Sequence, residues 1–218
     1  MNENIIKFYL FANKLKEKVR TGWIEVEISG ERLESVAEHI FGCLILAIGI
    51  ESEYKLNLDM YKILKMLTLH ELEEIIMKDF TIRDNVTKEE KIELGRKYVK
   101  IVTEGLIKQD EIINLLEEFN DRKTKEALFC YHIDKIECDF QAKVYDLQGR
   151  FNLEKALVDF KYYGEEESNK IKDKIHCSSD VWIEYDKKLY KDDCIFKNLI
   201  EDIQKITYDK TNTQIANN

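Results

Sequence analysis

The chain has 218 residues, 44% of them hydrophobic and 35% charged, with no proline and only 8 glycines. That length suits one domain with a proper core, and the absence of proline argues against an all-β or loop-rich protein, whose turns use Pro to preset φ. The formal net charge of −9 repels a phosphate backbone and speaks against a nucleic-acid polymer as partner, whereas a small anion is admissible where a metal or an Arg reverses the field locally.

An amphipathic helix is predicted over 5–19, with Ile6, Leu10, Phe11, Leu15 and Val19 at helical spacing. Arg20-Thr21-Gly22-Trp23 and the mixed stretch to Leu33 read as loop. Ser35-Val36-Ala37-Glu38 has capping-box form and opens a helix. Val36, Ile40, Cys43, Leu44 and Ala47 make its inward stripe, and His39 shares that stripe. A second helix is expected over about 59–78. Ile63, Leu64, Met66, Leu67 and Leu69 make it apolar on most sides, the pattern of a buried helix, and His70 and Glu74 continue the Ile63–Leu67 line.

Thr87-Lys88-Glu89-Glu90 is another capping box, opening a helix toward Leu106, and a shorter helix follows Asp110. Residues 122–147 read as one long helix. Leu128, Ile136, Phe140, Val144 and Leu147 lie on one side of it, and Ala127, Tyr131, Asp134 and Cys138 on another. Lys135, Asp139 and Lys143 recur every four residues and fit an exposed salt-bridged face. Residues 153–207 are helical but more charged, with a joint around 164–169, and the polar tail beyond Asp209 is expected to fray. The expectation is a single all-α domain over 1–208, its helices in 157–208 more divergent, followed by a flexible tail over 209–218.

The five cysteines are odd in number and contain no Cys-x-x-Cys, and no secretory leader pattern opens the sequence. Reduced thiols in a cytoplasmic protein are expected. The longest apolar run, 40–50, is far too short to span a bilayer, so no membrane partner is expected.

His39, His70 and Asp134 fall on inward faces of three different helices. An unpaired buried carboxylate costs on the order of several kcal/mol, and a divalent cation compensates that charge. Imidazole with carboxylate suits zinc, manganese, iron, cobalt or nickel. Glu71 adjoins His70, and four ligands leave open positions of the kind catalysis needs. A structural alternative also fits: Asp134 paired with His39 or His70 as a buried salt bridge. His70-Glu71-Leu72-Glu73-Glu74 is not a zincin motif, because Glu74 stands where that motif has a second His.

Five segments, in order and at fitting spacing, carry a resemblance over roughly 5–157. They are Arg20-Thr21-Gly22-Trp23, Glu34-Ser35-Val36-Ala37-Glu38-His39, His70-Glu71-Leu72-Glu73-Glu74-Ile75-Ile76, Asp79-Phe80-Thr81-Ile82-Arg83-Asp84, and the stretch from Asp134-Lys135-Ile136-Glu137 to Lys143. The chain resembles the HD-domain phosphohydrolases, and within them the nucleoside 5′-monophosphate hydrolases. The resemblance implies an all-helical HD-domain bundle around a central buried metal site, with the divalent ion (Mn, Co, Zn, Fe, Ni or Mg) on His39, His70, Glu71 and Asp134. The departure is Glu71, where the family usually carries Asp: the charge is the same, with one more methylene. The resemblance further implies that Glu74 activates the attacking water, that Asp79 lies near substrate and water, and that Arg20 and Trp23 contact the phosphate and the nucleoside. It also implies a homodimer. Two alternatives remain open at this level: an HD hydrolase of a nucleoside triphosphate or cyclic nucleotide, and a non-catalytic nucleotide-binding HD module.

Overall fold

The computed structural model describes residues 2–207, which divide into two compact units. The expected tail over 209–218 lies outside the described residues. Among the described residues the first unit comprises 2–25 and 32–137, the second 26–31 and 138–207. The division between the units falls inside the long helix, after residue 137. No strand is present among the described residues, only an isolated antiparallel bridge between Val19 and Ser35.

In the first unit, α1 (Asn2–Ala12) passes into a 3-10 turn, Asn13–Lys16, shorter than the helix predicted to residue 19. Its stripe also differs: Ile6 and Leu10 are exposed, and Phe8 and Phe11 pack inward against Leu72, Val99, Val102, Ile112 and Leu116. Asn4 and Lys7, which bond Gly105 O and Glu104, lie along the same inward line. The predicted loop at Arg20–Trp23 is instead the start of a short helix, α2 (Thr21–Glu25).

Helix α3 (Val36–Glu53) begins at Ser35 with the capping box the sequence proposes, its side chain and that of Glu38 exchanging bonds with each other's backbone N–H. It buries Val36, His39, Ile40, Cys43, Ala47 and Ile50, and Leu15, Val36 and Ile40 form one apolar cluster. Helix α4 (Met60–Leu69) is capped by Asp59 and buries Ile63, Met66 and Leu67. Burying an aliphatic side chain of this size contributes about 1.5–3 kcal/mol. The helix stops at Leu69, well before residue 78. Glu71 leaves helical geometry at φ −114° and ψ 20°, and Leu72–Ile75 form a 3-10 turn.

Helices α5 (Lys88–Val102) and α6 (Gln109–Asp121) follow, and then α7 (Lys125–Leu147). The last begins three residues later than predicted because Arg122, at φ +53°, terminates α6 in the left-handed region. Of the side predicted to be apolar, Leu128 and Val144 are exposed while Ile136 is buried, and Ala127, Cys130 and Ile133 are fully buried. The face predicted to be an exposed ladder is not one. Asp139 and Lys143 are buried, the latter donating to Gln204 O at 3.1 Å, and only Lys135 reaches the surface. An i, i+4 charge pattern fits an exposed ladder, but here the neighbouring elements cover it.

In the second unit, the C-terminal end of α7 is followed by α8 (Leu153–Ala156), α9 (Phe160–Tyr163), α10 (Glu165–Ile171), α11 (Asp180–Asp186) and α12 (Cys194–Lys205). The expected joint falls at Gly164, whose φ of +83° separates α9 from α10. Trp182 donates to Asp159 at 3.1 Å, and Tyr163 stacks on Tyr185 at 3.8 Å between centroids. No helix among the described residues is long and apolar enough to cross a membrane.

The cap of α5 is exposed and tests the local argument. Thr87 accepts from Glu90 N, and Glu90 accepts from Thr87 N. Thr87→Ala is expected to cost about 1 kcal/mol, a melting-temperature drop of roughly 2–4 °C for a chain of this size. An unchanged melt would show that the cap contributes nothing.

Candidate metal centre

Each of the predicted ligands is delivered by a different local device, all within the first unit. His39 sits four residues after Ser35, so the cap that starts α3 also sets the angle at which the imidazole leaves it. The ring is fully buried. Its Nδ1 meets the carboxylate of Glu137, and its Nε2 lies 3.2 Å from Asp134 Oδ1 and 3.8 Å from Glu71 Oε1. Cys43, one turn on, brings its sulfur to 3.6 Å from the same Nε2.

His70 is the residue that ends α4. Its Nδ1 donates to Leu67 O at 2.7 Å, satisfying one of the carbonyls the helix end leaves unpaired. That bond turns Nε2 inward, where it is buried without a hydrogen-bond partner, 3.7 Å from Glu71 Oε1 and 3.8 Å from Asp134 Oδ1. Glu71 follows on non-helical backbone, which lets consecutive side chains converge on one point. Asp134 comes from α7, with one oxygen facing the imidazoles and the other 2.9 Å from Lys135 Nζ.

The electrostatics are those of a site built around positive charge. Burial alone would raise Glu71, but His70 and Arg20 outweigh it and hold the carboxyl at about 2. Burial likewise opposes ionisation of Asp134, yet Lys135 and the two imidazoles hold it well below the usual carboxylate range. Burial would lower His70, and the neighbouring Asp134, Cys43 and Glu71 lift it well above its ordinary value instead. Donor atoms of His39, His70, Glu71 and Asp134 all lie within 4.8 Å of one another. Ligands bonded at 2.0–2.2 Å to one ion stand roughly 3.0–3.5 Å apart, so the cluster needs only small closure to hold one. The inward, unbonded Nε2 of His70 supplies the independent sign that the residues fit a cation.

The remaining predicted residues flank this cluster. Arg20 spans two carboxylates, with Nη1 3.2 Å from Glu71 Oε1 and Nε 3.9 Å from Asp79 Oδ2. Asp79 also accepts from Thr21 N at 2.8 Å and so pins the start of α2. Glu74 is fully buried, and neither carboxylate oxygen has a hydrogen-bond partner. Burial, with Glu71 and Asp79 nearby, raises its carboxyl well above the usual range. Its turn is held from outside by Lys18, whose Nζ donates to the carbonyls of Glu74 and Met77.

Trp23 is placed differently from the expectation of a wall open to a nucleoside. It is 1% exposed, and its Nε1 donates to Glu34 at 2.7 Å. Burial, with Glu137 beside it, pushes Glu34 up to about 7. Sequence reasoning singled out neither Glu137 nor Lys18. For Glu137 the signal was available: it lies one turn after Asp134 on a helix already assigned an inward face.

Two imidazoles and two carboxylates from α3, the end of α4 and α7 converge on one point among helices, with no strand among the described residues. The family model described as HD domain matches residues 12–176, and the chain belongs to the HD-domain family. It is a metal-dependent phosphohydrolase of that family, its donor set suited to a first-row divalent ion. The 5′-deoxynucleotidase HDDC2 of Dictyostelium discoideum is 34% identical over 152 residues, covering 66% of this chain and 79% of that protein. The 5′-deoxynucleotidase hdd1 of Schizosaccharomyces pombe is 32% identical over 167 residues, covering 74% and 81%. A solved structure of a conserved hypothetical protein from Pyrococcus furiosus superposes with a TM-score of 0.58 at 23% identity, over 92% of this chain and 99% of that one, a likeness of fold.

Chelator-treated protein is expected to gain thermal stability when Mn2+ or Co2+ is restored, by about 2.7 kcal/mol at a hundred times the dissociation constant. His70→Ala and Asp134→Ala should each remove most of that gain. A full gain in both variants, followed by differential scanning calorimetry, would put the ion elsewhere.

Proposed function

We propose that the chain hydrolyses a nucleoside 5′-monophosphate, preferentially a deoxynucleotide, with His39, His70, Glu71 and Asp134 as the metal ligands. The observation that carries this reading is Arg20 braced between Glu71 and Asp79 at the edge of the cation cluster, beside the unpaired carboxylate of Glu74. The names of the two curated relatives supply the substrate class.

When bound, the divalent ion supplies Lewis acidity, easing ionisation of a water and drawing charge from a phosphoryl oxygen. Everything else falls to the protein. Glu74, whose buried carboxylate oxygens have no hydrogen-bond partner, orients the attacking water and accepts its proton. Arg20 presents a planar donor fork to the phosphate and offsets charge that builds up in the transition state. Asp79 fixes the direction of that fork and the first turn of α2. Trp23 supports the same strap from beneath, through Glu34, instead of stacking on the nucleoside. Burial of the cluster keeps bulk water away, so each of these charges acts at a low effective dielectric constant.

Phosphate release from deoxy- and ribonucleoside monophosphates, triphosphates and cyclic nucleotides tests the reading. Turnover of monophosphates with a divalent ion is expected. Release only from triphosphates or cyclic substrates, or from none, overturns it. Glu74→Gln should cut kcat by about 10²–10⁴ with ion content unchanged, and Arg20→Ala should raise KM and lower kcat together. A Glu74→Gln enzyme with wild-type kcat and kcat/KM would assign water activation to another group.

We further propose that the protein is a cytoplasmic homodimer. All five thiols are free, as a reducing compartment maintains them. On α3, Phe41, Ile45 and Ile48 form an exposed stripe, in a stretch from Ile40 to Ile50 that carries no charge. A second copy packing α3 against α3 would cover that stripe symmetrically. Light scattering after size exclusion should find a dimer that Phe41→Glu converts to monomer. A monomeric wild type overturns the proposal, and a dimer that survives the substitution moves the interface off α3.

A further inference from the structure

Every ligand in the cluster must be aimed as well as present, and the two histidines are aimed by different acceptors. His70 Nδ1 is held by a neutral carbonyl, Leu67 O. His39 Nδ1 is held by a carboxylate, Glu137, whose side chain is 7% exposed. An imidazole whose Nδ1–H is bonded to a carboxylate keeps its Nε2 lone pair available, has a fixed ring plane, and is a stronger donor than one bonded to a carbonyl. On His39 that Nε2 is the nitrogen facing Asp134 and Glu71.

A second observation lies on α3. Gly42, three residues after His39, sits in the body of a helix, where glycine is disfavoured relative to alanine by its backbone entropy. Its φ is not positive, so no backbone requirement explains it. A Cβ built there would lie 2.2 Å from Glu137 Oε1 and 2.9 Å from Glu137 Cδ. Those separations are far inside van der Waals contact. The carboxylate that bonds His39 occupies the space that any other residue at position 42 would fill.

We infer that Glu137 is a positioning residue that fixes the orientation and donor strength of His39 toward the metal, and that Gly42 is the clearance that admits it. The inference rests on the metal reading of the cluster given above. Glu137 touches neither ion nor substrate in this scheme and acts only through the imidazole. Gly42 acts only through Glu137. Glu137 also lies next to Glu34, so a displaced carboxylate would crowd a second buried acid instead of finding solvent.

The test is titration of the chelator-treated chain with Co2+, by calorimetry and by the visible d–d absorption of the bound ion. The variants are Glu137→Ala, Glu137→Gln, Glu137→Asp, Gly42→Ala and the double Gly42→Ala/Glu137→Ala, with His39→Ala as the control for the site. Glu137→Ala is expected to weaken Co2+ binding by about 10–100-fold and to shift the absorption bands. Glu137→Gln, which keeps an oxygen acceptor and the volume, should lose less and serves as the reading if the alanine variant does not fold by circular dichroism. Gly42→Ala should weaken binding in the wild-type background and have less than about a threefold effect once Glu137 is alanine, the non-additivity expected of a residue acting through another. Affinity and spectrum within about threefold of wild type in folded Glu137→Ala and Glu137→Gln overturn the inference and leave the metal site standing. A Gly42→Ala effect that is the same in both backgrounds overturns the role of the glycine. Wild-type protein that binds Co2+ no better than His39→Ala removes the metal reading and the inference with it.

Discussion

Ionisable groups taken out of water must neutralise one another or exact a penalty of several kcal/mol each. Here Arg20, His39, His70, Glu71, Glu74, Asp79, Asp134 and Glu137 share one interior region of the first unit. Their mutual compensation is the constraint that the surrounding structure satisfies. The carboxylates of Glu71 and Asp134 balance against His70, Arg20 and Lys135. Glu34 and Glu74, which have no such balance, are pushed toward the neutral form by burial. The apolar residues of α3, α4 and α7 supply the stability that lets the chain retain so costly a centre.

Much of this was legible in the residues. Both capping boxes, the inward placement of His39 and the burial of Asp134 follow from spacing alone, because a helix repeats its faces every 3.6 residues whatever surrounds it. What spacing does not convey is where a helix stops. The Ile63–Leu67–His70–Glu74 line is read as one continuous helix, yet α4 ends at Leu69 and the last two members reach the same interior from a turn. The sequence carries no proline or glycine there to announce the break. The imidazole that accomplishes it looks like any other helical residue.

Charge patterns were the other weak point. Lys135, Asp139 and Lys143 have the period of an exposed ladder, and Trp23 has the character of a binding platform. The structure buries Asp139, Lys143 and Trp23 and finds each of the latter two an acceptor. Periodicity states which residues share a face. Whether that face meets water depends on elements distant in sequence, and those are fixed by tertiary packing. The Arg20–Trp23 strap is the sharpest case: its helix, its buried indole and its hold on Asp79 all depend on partners 11 to 58 residues away.

The closing of α4 by His70 has a consequence for what position 70 can accept. At position 70, a metal donor alone is insufficient. On the metal reading proposed above, the residue carries one nitrogen toward the ion and a second, on the opposite edge of a rigid ring, that finishes the helix on Leu67 O. Aspartate, cysteine or glutamate in place of His70 would leave that carbonyl bare. Position 71 is under no such double demand. Its backbone has already left the helix, and its carboxylate faces Arg20, His39 and His70. Lengthening or shortening that side chain by a methylene therefore leaves the end of α4 untouched, whereas any change at His70 disturbs it.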